Sequence, residues 1–155
     1  MVLLLIWKLK IFDKDINKIN NLPTGVGFYN LDNILKSSDY IILLINFTKE
    51  NIRFIGKNEF IKMKEGAYFI NTSRGELIDE EALISSLNSG KIKGAALDVL
   101  DGDSTWGIMV QGQNHLINYA KLNNNLLITP HMGGYGINSI TQTRKFIVQK
   151  FLNIN

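Results

Sequence analysis

The sequence predicts an α/β fold, a mostly parallel sheet with helices flanking it. Short apolar runs alternate with longer amphipathic stretches from one end of the chain to the other, the pattern of buried strands joined by helical crossovers. The 155 residues are 45% hydrophobic and 20% charged, a globular balance that supports one packed core. No internal repeat interrupts the alternation.

The opening apolar stretch, Met1 to Trp7, is far shorter than a membrane-spanning helix and lacks the basic start and small-residue cleavage site of a signal peptide. It is expected to be buried structure in a cytoplasmic protein with no membrane partner. Strands are expected at Leu9 to Phe12, Tyr40 to Ile45, Ala67 to Ile70, Ala95 to Val99 and Leu126 to Thr129, with a weaker one at Val26 to Tyr29. Each is short and apolar enough to be buried on both faces. Leu31 to Lys36 and Lys57 to Met63 read as short helices, the second stopped near Gly66. Asp79 to Gly90 is the clearest helix: acidic residues occupy its first turn, Leu83 and Leu87 share a face, and Gly90 ends it. Asp101 to Asn114 reads as a loop, His115 as a loop or helix-surface residue, and Asn138 to Leu152 as a terminal helix.

Composition removes several classes of function. The 17 basic and 14 acidic residues leave a net charge of +3, scattered without a basic block, so no nucleic-acid surface is implied. There is no cysteine, which excludes disulfides, thiolate metal sites and cysteine nucleophiles. With two histidines, a zinc cluster is not expected, and no metal is assigned.

Ligands of an open parallel sheet sit at the carboxyl ends of its strands. Four places there carry polar residues: Asp13, the run Asn71 to Gly75, the segment Asp98 to Asp103, and Pro130 to Gly134. An acidic residue after the second strand of a dinucleotide-binding sheet accepts bonds from both ribose hydroxyls and repels a 2′-phosphate; taken alone, Asp13 reads first as a turn residue. The Arg74 guanidinium could hold a carboxylate through two parallel hydrogen bonds, or be a surface arginine. His131 stands at a strand end, and an imidazole titrating near neutrality suits proton transfer to or from a hydroxyl; the alternative is a structural histidine. Asp101 and Asp103 are both candidates for the acid that would orient it, or are solvated turn residues.

Three ordered segments, Met63 to Leu83 with its core Asn71-Thr-Ser-Arg-Gly75, then Gly90 to Val99, then Thr129-Pro-His131, resemble the signature of D-isomer-specific 2-hydroxyacid dehydrogenases. The resemblance implies a Rossmann-like NAD-binding domain and hydride transfer between C2 of a D-2-hydroxy acid and C4 of the nicotinamide. It makes Arg74 the group that binds the substrate carboxylate and His131 the acid/base. The family glutamate that supports the histidine falls at Asp103, one methylene shorter. By the same resemblance NAD would be held by Asp13, Asn46, Thr72, Ser73, Arg74, Asp98, Gly133 and Gly134, with Asn46 in place of the usual proline and Leu44 in place of a frequent histidine.

No glycine occurs among the twelve residues before Asp13, so the glycine-rich phosphate loop and the first strand are not expected, and the domain reads as partial across residues 1–155. In the strand order 3-2-1-4-5-6 the first strand is central, so a gap or a rearrangement is expected between the strand at Leu9 and that at Tyr40. The substrate is expected to be a small 2-hydroxy or 2-oxo acid, and the partner a second copy of the chain or an N-terminal half. The competing readings are an inactive truncated remnant and an NAD-sensing or interaction module of the same family. Without the phosphate cradle at a helix N-terminus, the chain by itself is expected to bind NAD weakly or not at all. Titration of NADH fluorescence checks this, and saturable micromolar binding would overturn it.

Overall fold

The computed structural model describes residues 9–13, 23–103, 114–133 and 136–152. Its main body is a four-stranded sheet of order β3-β4-β5-β6, every pair parallel: β3 is Tyr40–Leu43, β4 Ala67–Asn71, β5 Ile92–Leu97 and β6 Leu126–Ile128. Two short strands, β1 (Leu9–Ile11) and β2 (Val26–Phe28), pair in parallel as a separate sheet. No pairing joins β1 to β3 among the described residues, whose strands form two separate sheets. The small sheet is tied to the body by Lys10, whose Nζ donates to Ser37 Oγ at 2.6 Å and to Ser37 O at 3.2 Å, and by the stacked rings of Phe12 and Phe54, 6.5 Å apart.

Helices α1 (Leu31–Ser37), α2 (Lys57–Lys62), α3 (Glu80–Asn88) and α4 (His115–Leu122) pack each on the next. Their apolar stripes supply Leu35, Phe60, Leu83 and Leu116, all fully buried, against Phe69 of β4 and Leu97 of β5. Phe60 meets Phe69 edge-on at 5.3 Å, an arrangement the ring quadrupoles favour. Helix α3 forms as its sequence predicts. The Asp79 side chain accepts from Ala82 N at 3.0 Å, and Gly90 takes the left-handed φ of +76° that follows the last turn. Helix α5 (Ile137–Leu152) closes the chain, and no described helix is long and apolar enough to cross a membrane.

The structure corrects several expectations. The strands are not all buried on both faces: in β3, Ile41 and Leu43 are buried, whereas Tyr40 and Ile42 keep 48% and 55% of their surface. Tyr40, Tyr68, Ile42 and Ile70 stand in register on the face away from α1 to α4, where the Tyr40 and Tyr68 rings stack at 5.2 Å. The strand expected from Tyr40 to Ile45 ends at Leu43, because the carbonyls of Ile45 and Asn46 accept from the side chains of Ser73 and Asn51 instead of from a ladder. The strand expected at Ala95 begins at Ile92, its first half disguised by exposed Lys93 and by Gly94, where a Cβ would lie 3.0 Å from the Tyr68 ring. Helix α4 went unexpected, although His115 does lie exposed on its surface; Asn114 caps it, accepting from Leu116 N at 2.8 Å and Ile117 N at 3.1 Å.

Phe69 is the side chain on which this packing converges. Replacing it with alanine is expected to cost about 3–5 kcal/mol by lost transfer energy and the cavity left behind. Urea unfolding followed by circular dichroism measures it, and a loss below about 1 kcal/mol would show that the core closes around the gap.

Candidate active site

The loops after β4, β5 and β6 meet at the carboxyl edge of the sheet. Asn71, the last residue of β4, is completely buried, so both functions of its amide must be satisfied within the protein. Its Oδ1 accepts from Ser73 N at 3.0 Å and its Nδ2 donates to Arg74 O at 2.8 Å. This local turn holds the backbone on both sides of Arg74. The Ser73 hydroxyl donates to Ile45 O, and buried Asn51 donates to Asn46 O at 2.7 Å while accepting from Thr48 N at 2.8 Å. The loops after β3 and β4 are thereby stapled together. Thr72 and Arg74 are exposed, and Arg74 Nη1 donates to Ser73 O at 2.8 Å.

Asp98 follows β5 with 8% of its surface accessible. Its Oδ1 accepts from the Thr129 hydroxyl and from Met132 N at 2.9 Å, and its Oδ2 from Gly133 N at 2.7 Å. Burial pushes this carboxyl up, but the bonds from Thr129, Met132 and Gly133 outweigh burial and, with His131 nearby, hold it below the ordinary 3.8. A Cβ on Gly133 would stand 3.0 Å from Oδ2, so the residue must be small for its N–H to reach. Inside this clamp His131 adopts a left-handed φ of +52°, a conformation costing a non-glycine residue about 1 kcal/mol or more unless its surroundings impose it.

The turn imposed on His131 brings its Nδ1 to 3.2 Å from Asp103 Oδ2. Of the two acids the sequence left open, Asp103 is therefore the one beside the imidazole. Asp103 Oδ2 also accepts from Leu100 N at 2.9 Å, and Asp103 N donates to Leu100 O at 3.2 Å, so residues 100–103 form a closed turn. That turn lies on Gly75, where a Cβ would fall 2.0 Å from the Leu100 carbonyl carbon. Arg74, Gly75, the Asp103 turn, Asp98, Gly133 and His131 thus form one contiguous edge. Asp13 lies just past β1 in the smaller sheet and Asn46 lies past β3, exposed; Gly134 is outside the described residues. Sequence reading placed Asn71 and Thr129 within the motif segments without a role for either side chain, and passed over Asn51, which lies in a short 3-10 turn beyond β3.

The model of the D-isomer specific 2-hydroxyacid dehydrogenase NAD binding domain matches residues 6–133. The chain belongs to this family. An aromatic 2-oxoacid reductase of Clostridium sporogenes is 38% identical over 132 residues, 81% of this chain and 39% of the relative. The D-isomer specific 2-hydroxyacid dehydrogenase of Lactobacillus delbrueckii ssp. bulgaricus, solved in an NAD-complexed form, superposes with a TM-score of 0.82 at 28% identity, covering 95% of this chain and 45% of that one. The D-lactate dehydrogenase of Aquifex aeolicus, solved with NAD and lactic acid, gives 0.74 at 29% identity, covering 94% and 46%. The chain therefore spans less than half the length of each of these relatives.

In this family member the Asp98 clamp is a stability element with a defined pH dependence. Because its folded value is lowered, its contribution is complete above the ordinary 3.8 and is lost as pH falls through the lowered value. Asp98→Ala, which strands two backbone N–H groups and a hydroxyl, is expected to cost about 2–4 kcal/mol at neutral pH and little once the wild-type carboxyl is protonated. Parallel urea titrations of both proteins at neutral and strongly acidic pH test this, and a penalty independent of pH would contradict it.

Proposed function

We propose that this chain is the NAD-binding and catalytic part of an oxidoreductase that interconverts a D-2-hydroxy acid and the corresponding 2-oxo acid. The observation that carries the reading is the His131–Asp103 pair at 3.2 Å, set on the same edge as Arg74. A carboxylate at Nδ1 fixes the imidazole tautomer and orientation and stabilises the imidazolium, leaving Nε2 to exchange a proton with substrate. Among the described residues the Arg74 guanidinium donates to one carbonyl of its own loop, which leaves the rest of its fork to a substrate carboxylate. In reduction, Arg74 would orient the 2-oxo acid and His131 would deliver the proton to the carbonyl oxygen; in oxidation it would remove the hydroxyl proton.

The residues present fit the nicotinamide end of NAD. Asn46 and Thr72 are exposed beyond β3 and β4, and Gly133 brings backbone close to the Asp98 carboxylate with no side chain in the way. Ser73 contributes by fixing the loop through Ile45 O, and Asp98 by shaping the Gly133 turn. Asp13 after β1 and Gly134 are assigned only by their place in the sequence motif. When bound, NAD supplies the hydride acceptor or donor at its nicotinamide. We assign residues 1–155 to a single NAD-binding domain, and the substrate-binding domain to sequence outside this chain.

Two departures from the family pattern, Asp103 and Asn46, are the sequence features that favour an NAD-sensing protein without turnover; the direct contact of Asp103 with His131 favours the catalytic reading. The test is NADH oxidation with a panel of 2-oxo acids, on the chain alone and with the N-terminal part of a relative supplied in trans. His131→Gln is expected to lower kcat by about 10²–10⁴ with NADH binding unchanged. Arg74→Ala is expected to raise KM for every acid in the panel. Turnover that survives His131→Gln would sink the assignment.

A further inference from the structure

Glu80 begins α3 within the segment Met63 to Leu83, has no role among the site residues above, and its carboxylate accepts from two directions. Oε1 receives Asp101 N–H at 3.0 Å and Oε2 receives Asn114 Nδ2 at 3.3 Å. Asp101 belongs to the closed turn that ends in Asp103, and Asn114 caps α4. Burial of Leu100 and the seat on Gly75 limit how close the turn comes to β4. The Glu80 oxygens add a directional tie that links it to α3 and to the cap of α4.

We propose that Glu80 is a positioning residue for the acid/base pair: by accepting the Asp101 N–H and the Asn114 amide it orients the turn that keeps Asp103 within hydrogen-bonding distance of His131 Nδ1. The proposal rests on the reading of His131 and Asp103 as that pair. Burial pushes the Glu80 carboxyl above its ordinary 4.5, as does the nearby Asp101 charge, and the bonds from Asp101 N and Asn114 and the proximity of His115 only partly offset this. The two contacts of its oxygens, not its ionisation, tie the turn to α3 and to the cap of α4.

The test reads the tautomer of neutral His131 by ¹⁵N NMR of the purified 155-residue chain. It holds two histidines, so a His115→Gln sample assigns the spectrum. A carboxylate accepting at Nδ1 enforces the Nδ1–H tautomer, whereas an unconstrained neutral imidazole favours Nε2–H. Asp103→Ala, which removes the acceptor altogether, is the reference and is expected to lose the Nδ1–H signal. Glu80→Ala is expected to lose most of it too, Glu80→Asp part of it because the shorter side chain retracts from Asp101, and Glu80→Gln to retain it through one remaining acceptor oxygen. Circular dichroism establishes that each variant is folded, and Glu80→Asp decides the matter if the alanine variant does not fold. Wild-type tautomer ratios in folded Glu80→Ala or Glu80→Asp would overturn the proposal, as would Glu80→Gln behaving like Glu80→Ala. No change in Asp103→Ala would instead overturn the reading of the pair itself.

Discussion

Asp98 keeps 8% of its surface accessible, and a carboxylate is tolerated there because three donors from a single stretch, Thr129, Met132 and Gly133, converge on it. A buried charge without such partners would protonate or unfold its surroundings. The requirement runs both ways. The charge needs the three donors, and the donors reach it only when the chain after β6 turns sharply enough to place His131 at a positive φ. Electrostatic necessity at the end of β5 thus becomes backbone geometry at the end of β6, which directs the imidazole toward Asp103.

Everything below the strand ends keeps that edge in place. The parallel ladder fixes the spacing of β4, β5 and β6, and the stripe Leu35, Phe60, Leu83 and Leu116 clamps one face with fully buried side chains. The opposite face is another matter. Tyr40, Ile42 and Leu127 leave 48%, 55% and 62% of their surface accessible, and β1 and β3 each have one strand edge unpaired among the described residues. Apolar side chains beside unpaired backbone are the conditions under which sheets aggregate or acquire a partner strand. The rigidity of the candidate site therefore comes from the helix-covered side, and loops stapled by Asn71, Asn51 and Ser73 extend it above the sheet.

Signals that are local were legible in the sequence, and those that depend on closure of the tertiary fold were not. Helix α3 could be read because its acidic first turn, its leucine pair and Gly90 each act within a few residues. The strands could be placed from their apolar runs, but their ends could not: what stops β3 is the hydroxyl of Ser73, 28 positions away in sequence. Helix α4 lacks an acidic first turn and was hidden behind a polar stretch, its one local sign being Asn114 as a cap. Arg74, Asp98 and His131 stood out by residue type and motif. Asn71 and Glu80 did not, since a buried, fully bonded polar side chain has the same one-letter identity as a solvated one.

Position 103 shows how a fold can keep an interaction when the side chain that makes it is shortened. The resemblance called for a glutamate, and aspartate reaches less far by one methylene, yet its Oδ2 stands 3.2 Å from His131 Nδ1. The missing reach is supplied by backbone: Leu100 N donates to that same oxygen and Asp103 N donates to Leu100 O, which winds the turn tightly and carries Asp103 with it. Such a turn can approach only over a residue with no side chain, and Gly75 provides that opening. The cost falls on the other oxygen, Asp103 Oδ1, which is buried without a hydrogen-bond partner among the described groups. The orientation of His131 therefore rests on Oδ2 alone, the one oxygen that the Leu100 N–H also holds in place.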